Sequence, residues 1–288
     1  DVGDGHLGNW GFQEGGMGAV ADAIASAARR VGAEIRLNAP VRKLLLKDGR
    51  ASGVELENGQ QITAKVVVTS LHPRTAFLDH VGRANLPDDF VTDIERWKTR
   101  SGVVKINLAL AELPDFTADP GTNLQEHHTG SVEMAPTMPY IERAFTDARE
   151  GRPAVRPFSD GVIPTAFDKT LVPDGYHMMS LFTQWVPSDW NEEPHTEELQ
   201  AYADRMIDCY NEVAPNFKSS IIHTDIVGPY QMEHDYGLIG GNIFHGELSL
   251  EQLFHMRPAP GYADYRTPIS GLYNGSSGTH AGGGVCGI

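Results

Sequence analysis

The sequence of 288 residues contains only two cysteines, Cys209 and Cys286, and no long apolar run. Two cysteines are too few for the disulfide scaffold of a small secreted domain, so a reducing compartment is expected: the cytoplasm, or the mitochondrial matrix in a eukaryote. The longest apolar runs, such as "VVV" at 66–68, fall far short of the roughly 20 residues that a membrane helix needs. The sequence therefore predicts no membrane span.

Signatures of metal sites and of hydrolases are also lacking. The chain has 12 histidines but neither CxxC nor HExxH spacing, and the pair His127 and His128 lies among polar loop residues. No metal is therefore expected. The string "GSSG" at 275–278 does not match the GxSxG elbow of a serine hydrolase, which makes that class of enzyme a poor candidate.

Basic residues are scarce. Lys and Arg number 23 and Asp and Glu number 38, which gives a formal net charge of −15 without any basic run to offset it. Neither nucleic acid nor an anionic lipid surface is therefore expected as a partner. The content of 40% hydrophobic and 21% charged residues is that of an ordinary globular protein, long enough for a large core or two domains.

The first ninety residues predict one helix followed by strands. From Met17 the apolar residues Val20, Ile24, Ala27 and Val31 recur at helical spacing. The next segments, "AEIRL", "VRKLLLK", "ASGVELE" and "QITAKVVVTS", are short and rich in Val, Ile and Leu, and turn pairs at 48–49 and 58–59 separate them. Asn-Gly between strand-like runs favours a hairpin, so an antiparallel meander is expected.

The middle of the chain predicts further strands and a long helix. "GVVKINLALAEL" and "YHMMSLFTQWVP" are typical of strands, and Thr196 begins a helix that Pro215 closes. One face of that helix carries Leu199, Tyr202, Met206, Tyr210 and Val213. The fold class is therefore α+β.

The end of the chain is unusually rich in glycine, which makes up seven of the residues in "GLYNGSSGTHAGGGVCGI". Glycine is costly to order and has no side chain to bury, but it lets backbone N–H groups approach a flat or anionic ligand. The apolar residues just before the turn indicate a strand that runs directly into it, which favours a ligand site. The alternative is a flexible glycine tail.

The motifs "EGGMGAVADAIA", "NAPVRKLLL", "GGNIFHGELSLEQL" and "GLYNGSSGTHAGGGVCG" together resemble those of the phytoene desaturase-like flavoprotein oxidoreductases, in order and over essentially the whole chain. The resemblance implies FAD as cofactor. It implies that Val41 lies near the adenosine half, and that Gly282, Gly283, Gly284 and Val285 pass close to the pyrophosphate and flavin. For Val41 the alternative is a plain core residue of a strand.

The resemblance also implies a division of the chain. Residues 1–80 would form part of an FAD-binding domain, 81–265 a substrate domain built on a mixed sheet and helices, and 266–288 a segment that returns to the FAD-binding domain. Ala281 and Ser276 depart from the family pattern, which has a proline and a further glycine there. The dinucleotide-binding unit of the family, a strand followed by a GxGxxG loop and a helix, does not occur in this sequence. We therefore expect the chain to be the C-terminal part of a longer flavoenzyme.

The function that the resemblance implies is FAD-dependent oxidation, of dehydrogenase or desaturase type, of an unidentified apolar small molecule. His280 is the candidate catalytic residue because it adjoins the glycine turn, while His245, His255 and Arg257 flank the neighbouring "GGNIFH" segment. Without the dinucleotide loop, weak or absent FAD binding is expected, together with self-association or a partner chain. The alternative is a non-catalytic interaction protein that keeps the flavoprotein fold.

Overall fold

A computed structural model describes residues 11–283, which form two compact units. The first unit combines residues 11–35 with 102–228, and the second combines residues 36–101 with 229–283. The points at which the chain passes from one unit to the other differ from the predicted boundaries at 80 and 265. One reason is the helix Asp88–Glu95, which buries Phe90 and Ile94 in one cluster with Leu44 and Ala51. The division into cofactor and substrate segments remains a prediction.

The secondary structure of the described chain mixes strands and helices throughout. The strands are β1 (Val41–Lys47), β2 (Arg50–Leu56), β3 (Gln61–Thr63), β4 (Val67–Thr69), β5 (Val103–Leu110), β6 (Val132–Met134), β7 (Phe158–Val162), β8 (His177–Gln184), β9 (Ile221–Val227) and β10 (Leu272–Asn274). The α-helices are α1 (Gly16–Arg30), α2 (Asp88–Glu95), α3 (Met138–Arg149), α4 (Thr196–Val213), α5 (Phe217–Ser220) and α6 (Pro229–Tyr236). A π-helical segment, Arg74–Gly82, precedes α2. The predicted α+β class is confirmed.

A five-stranded sheet forms the base of the first unit. Its order is β6-β7-β8-β5-β9, and every neighbouring pair is antiparallel. Helix α4 buries Tyr202, Met206 and Tyr210 in one cluster with apolar residues of β5 and β8. The Tyr202 hydroxyl donates to Thr183 Oγ1 on β8 (3.1 Å), which satisfies a buried polar group within that core. The predicted strands are thus confirmed, and so is the apolar face of α4 except at Val213, which is exposed in the last turn of the helix.

Helix α1 begins at Gly16, one residue before the predicted Met17, and contains no buried residue. It is attached to its unit through the loop before it, where the Gly15 N–H donates to Asp168 Oδ2 (2.6 Å). The rings of Phe12 and Phe167 stack with their centroids 4.5 Å apart. The predicted helix is therefore present, but its apolar residues form no buried face, since Ile24 and Val31 are exposed to solvent.

The second unit contains the meander. Strands β1, β2 and β3 form an antiparallel sheet in that order, as predicted. The predicted strand "AEIRL" is wrong, because residues 33–37 pair with no strand in the described structure. "QITAKVVVTS" divides into β3 and β4, since β3 pairs with β2 whereas β4 pairs with β10.

The pairing of β4 with β10 joins distant parts of the sequence. The two strands are parallel, with Val67 opposite Leu272 and Thr69 opposite Asn274. A bridge between Arg50 and Ser270 adds a second connection. The expected packing of residues 1–80 against 266–288 is therefore met by residues 36–80, whereas residues 11–35 belong to the other unit.

Candidate functional site

The carboxyl ends of β4 and β10 lie side by side because these strands are parallel neighbours. In open sheets that contain parallel strands, ligands bind outside the carboxyl ends of the strands. His72 follows β4 by three residues, and the turn of residues 275–283 follows β10 directly. This edge of the second unit is therefore a candidate ligand site.

The turn of residues 275–283, called the glycine turn below, is held to the protein around it. Its Gly275 N–H donates to the Thr69 carbonyl (2.8 Å), and within it Gly282 donates to Thr279 (2.7 Å). A Cβ added at Gly278 would lie 2.5 Å from Pro73 Cγ. Within the described residues the turn is thus a packed element and not a flexible tail.

The reason for glycine at position 283 differs from the predicted one. A Cβ at Gly283 would lie 2.4 Å from Phe244 Cδ1, so a protein side chain already occupies that space. At Gly282 the backbone φ is +104°, a conformation that residues with a side chain rarely adopt. A Cβ added there would lie 3.9 Å from Arg257 Nε, the nearest atom. The assignment of both glycines to cofactor binding stays a prediction.

The Arg257 guanidinium organises the segment that faces the glycine turn. It is 0% exposed, and Nε donates to the carbonyl of Ser277 in the turn (2.9 Å). The two Nη atoms donate to the carbonyl oxygens of Phe244, Gly246, Glu247 and Gln252, at 2.5–3.5 Å. Burial lowers the pKa of Arg257 to about 10, which still leaves it charged at neutral pH. All its donors are therefore used on backbone oxygens.

Trp97 supports the guanidinium from the other side. The Arg257 Cζ lies 5.1 Å from the Trp97 ring centroid, within the range of a cation–π contact. The indole N–H donates to the His245 carbonyl (2.7 Å). Gly246 makes this approach possible, because a Cβ there would lie 2.5 Å from the ring. The segment around His245 is thus fixed by packing and hydrogen bonds.

Three buried polar groups at this edge have no partner among the described residues. His72 is 2% exposed, and its Nδ1 accepts from the Arg74 N–H (3.1 Å), which leaves the proton of the neutral ring on a partnerless Nε2. Asn274 is 1% exposed and its Nδ2 is unpaired, as is Nδ1 of His245. The His72 and His245 ring centroids are 5.7 Å apart. Buried unpaired donors are rare in proteins and point to a missing partner.

Burial holds both histidines neutral. Desolvation, reinforced by His245 and by the charges of Arg74 and Arg257, lowers the pKa of His72 to about 3. Desolvation and then the Arg257 charge also lower the pKa of His245. At neutral pH neither ring is charged, so each can serve as both donor and acceptor.

The low pKa of His72 predicts acid sensitivity. Because the folded-state pKa lies below the ordinary value of 6.5, the unfolded chain binds the extra proton first and stability falls as pH drops below 6.5. We expect a loss of about 2 kcal/mol between pH 7 and pH 5, measured by urea unfolding. His72→Leu should flatten this dependence, whereas the exposed His255→Leu should not. Equal losses in wild type and His72→Leu would contradict the assignment.

An apolar groove lies on the same unit, between the meander and β4. Its volume is about 480 Å³, and its lining includes the predicted adenosine contact Val41. Other lining residues are Leu44, Val54, Val68, Leu71 and His80. The half-buried Val41 is therefore a groove residue as well as a strand residue, and both interpretations of it remain open.

The remaining predicted residues are distributed as follows. His280 is exposed on the glycine turn, with its ring 6.0 Å from that of Phe254, and His255 is also exposed. Gly284 and Val285 lie outside the described residues. Sequence reasoning missed His72, three residues after β4, and Asn274, the last residue of β10. A polar residue at or just beyond the end of an apolar strand is the signal that could have pointed to both.

Residues 11–283 contain neither a candidate metal site nor a candidate membrane helix. No group of three His, Cys, Asp or Glu side chains there is placed to hold a metal ion. No helix in this range is both long and apolar enough to cross a membrane.

Comparison with known proteins places the chain among flavoproteins. The family model described as flavin containing amine oxidoreductase matches residues 2–225. The chain is 41% identical over 295 residues to mouse pyridine nucleotide-disulfide oxidoreductase domain-containing protein 2, a match that covers 99% of this chain and 50% of that protein. It is 24% identical to a 4,4'-diapophytoene desaturase of Staphylococcus aureus strain Newman, over 95% of this chain and 53% of the relative.

Solved structures agree on the fold. An oxidoreductase from Methanosarcina mazei superposes with a TM-score of 0.58 at 19% identity and covers 92% of this chain and 50% of that one. The chain thus spans about half the length of these relatives. The resemblance to the phytoene desaturase-like flavoproteins is confirmed. The chain belongs to the flavin containing amine oxidoreductase family.

Proposed function

We propose that the chain forms part of an FAD-dependent oxidoreductase, of dehydrogenase or desaturase type, that acts on an apolar small molecule. The observation that carries this proposal is the set of unpaired donors and the glycine turn at the carboxyl ends of β4 and β10. FAD carries many oxygen and nitrogen atoms that accept hydrogen bonds, and acceptors are what these unpaired donors lack. The family and its desaturase relative support the reaction type.

The residues present fit a dinucleotide in two places. The apolar groove around Val41 suits the flat adenine ring, since aromatic rings bury well against valine and leucine. The glycine turn offers backbone at close range, and His72 Nε2 and Asn274 Nδ2 offer hydrogen bonds. When bound, the flavin would supply the redox chemistry, accepting two electrons from a substrate C–H or C–N bond.

The chain's own residues would then position and shield the reacting groups. Arg257 fixes the 244–252 backbone, which sets the place of Phe244 against Gly283. His280, exposed on the turn, would orient or polarise the substrate, and the proposal gives it no required proton transfer. A buried Arg257 charge beside the turn would favour negative charge on whatever binds there.

A flavin spectrum tests the proposal. Flavin absorption bands that stay with the protein through gel filtration would support the enzyme. If this chain binds FAD weakly, as we propose for the chain alone, titration calorimetry should show an affinity weaker than micromolar. A protein that neither purifies with flavin nor binds added FAD would favour either a non-catalytic interaction protein or a fragment that lacks part of the FAD site, and the same titration on a complete enzyme distinguishes the two.

A further inference from the structure

The second unit has a further cavity, with a volume of about 350 Å³. We call it the arginine cavity, and its lining residues are Arg74, Leu78, Asp79, Arg83, Glu95 and Ile239. None of these residues lines the apolar groove around Val41 or belongs to the glycine turn. The volume lies at the lower end of the range for small-molecule sites, so a small ligand is the occupant to consider.

A π-helix brings charged residues five positions apart to this cavity. The segment Arg74–Gly82 is π-helical. Because π-helical hydrogen bonds connect residues i and i+5, positions i+4 and i+5 both lie about one turn beyond residue i. Leu78 and Asp79 hold these positions relative to Arg74, whereas in an α-helix residue i+5 would point about 140° away. The π-helix thus places an apolar and an acidic side chain beside Arg74, and such helical turns occur frequently at functional sites.

Glu95 holds both guanidinium groups at the cavity. Its carboxylate accepts from Arg83 Nε (3.0 Å), and its main-chain carbonyl accepts from Arg74 Nη2 (2.9 Å). Glu95 is the last residue of α2, where helix carbonyls lack partners within the helix and the helix dipole favours positive charge. The two guanidinium groups therefore converge on one residue.

Both arginines keep N–H groups available for a ligand. Arg74 Nε is buried and has no partner among the described residues. Arg83 uses only Nε on Glu95, so its two Nη atoms donate to nothing in the described part of the chain. A buried unpaired N–H is costly until an acceptor completes it. Guanidinium groups match the planar geometry of a carboxylate, which is therefore the group that these donors fit.

The charges of the cavity argue against a ligand that is only negative. Two arginines and two acidic residues line it, so its formal net charge is zero. Glu95 forms an ion pair with Arg83, whereas Asp79 accepts no hydrogen bond within residues 11–283. Asp79 would repel a simple anion bound to Arg74 and attract a cationic group. The complementary ligand carries a carboxylate and an ammonium group together.

We propose that the arginine cavity binds a small zwitterion, with its carboxylate on Arg74 and Arg83 and its ammonium group on Asp79. Leu78 and Ile239 are half-buried and would contact the apolar part of the ligand. The proposed role is recognition, without a chemical step. It does not depend on the flavin function proposed above, because the residues concerned belong neither to the groove nor to the glycine turn.

Calorimetric titration with three probes that share one apolar body tests the site. Leucine carries both charged groups, isocaproate lacks the ammonium group, and isoamylamine lacks the carboxylate. We expect leucine to bind with a Kd of about 1 mM or tighter, and about tenfold more tightly than either of the others, because each of those loses a charge-assisted contact. No leucine binding up to about 10 mM, or equal affinity for all three probes, would overturn the proposal.

Asp79→Asn reverses one preference and keeps the fold. We expect this variant to bind leucine about tenfold more weakly and isocaproate more tightly than wild type, because it loses both the attraction for the ammonium group and the repulsion of the carboxylate. A merely structural role of Asp79 would not change the two affinities in opposite directions. Asp93→Asn, the same change on α2 outside the cavity lining, should leave both affinities unchanged. Unchanged leucine binding in Asp79→Asn would contradict the site.

Arg74→Gln tests the carboxylate end. It should weaken leucine and isocaproate by about tenfold alike, since both carry the carboxylate, and should not weaken isoamylamine. Weakening of isoamylamine to the same extent would mean a general loss of structure and would contradict the assigned orientation. If Arg74→Gln does not fold, Asp79→Asn still decides, because Asp79 is exposed.

An FAD titration separates this proposal from the flavoenzyme. Leucine binding that depends on Asp79, in a protein that does not bind FAD, would retain the zwitterion site. FAD binding that Asp79→Asn leaves unchanged, without any leucine binding, would retain the flavoenzyme and overturn the zwitterion site.

Discussion

In a complete enzyme that retains flavin, replacing Gly283 by valine is expected to abolish flavin binding and to lower the free energy of unfolding by about 1–3 kcal/mol. The instability follows from the contact with Phe244, since even a Cβ at position 283 would lie 2.4 Å from its ring. The loss of flavin follows if the cofactor approaches the other side of the turn, as the family resemblance implies. Flavin absorbance after gel filtration and urea unfolding measure the two effects separately.

A double variant separates cofactor space from protein packing. All three atoms nearest an added Cβ belong to the Phe244 ring, so Phe244→Ala removes them. Flavin binding that survives Phe244→Ala but is lost in Phe244→Ala/Gly283→Ala would show that the cofactor needs the glycine. If the double variant still binds flavin, position 283 is glycine only because of Phe244. Gly18→Val, in open space on α1, controls for added bulk.

Val68→Lys is expected to convert a self-associating protein into a monomer. Strand β4 pairs with β10 along one edge, and its other edge pairs with no strand of the described structure. Val68 is 67% exposed there, and Val66 and Leu71 beside it are exposed as well. An open apolar edge strand is a surface on which a second chain can add a strand. We therefore expect dimers or larger species at about 10–100 µM, concentrations at which modest interfaces assemble.

Light scattering after gel filtration measures this change in mass. Val155→Lys is the matched control, because Val155 is 62% exposed but lies in a bend and not in a strand. We expect Val155→Lys to associate like wild type. A wild-type protein that is monomeric across this concentration range would contradict the prediction, and equal association of both variants would place the interface elsewhere.

Much of the fold follows from local patterns. Helix α1 and strands β1, β2, β5 and β8 appear where the periodicity of apolar residues predicts them. The segment 33–37 shows the limit of this reasoning. "AEIRL" has the composition of a strand, but a strand needs a neighbour, and the chain passes there from one unit to the other. Local composition does not encode the presence of a partner strand.

The candidate site was less accessible from sequence because it is assembled from three distant segments. His72 and the 275–283 turn come together through the parallel pairing of β4 and β10, and Arg257 joins the 244–257 segment to that turn. Glycine content identified the turn, but the neighbour of Gly283 is a phenylalanine 39 residues earlier in the chain, which no spacing rule indicates. A histidine before a proline likewise gives no sign that it will be 2% exposed.

The stack of Gly246, Trp97 and Arg257 has an evolutionary consequence. Any side chain at position 246 meets the indole, a smaller residue at 97 removes the support for the guanidinium, and loss of Arg257 leaves backbone carbonyls unpaired. A substitution at any one of the three positions is therefore destabilising, although simultaneous substitutions at all three need not be. Sequences that evolve from this one should therefore keep all three residues or exchange them together, which slows sequence change around the turn.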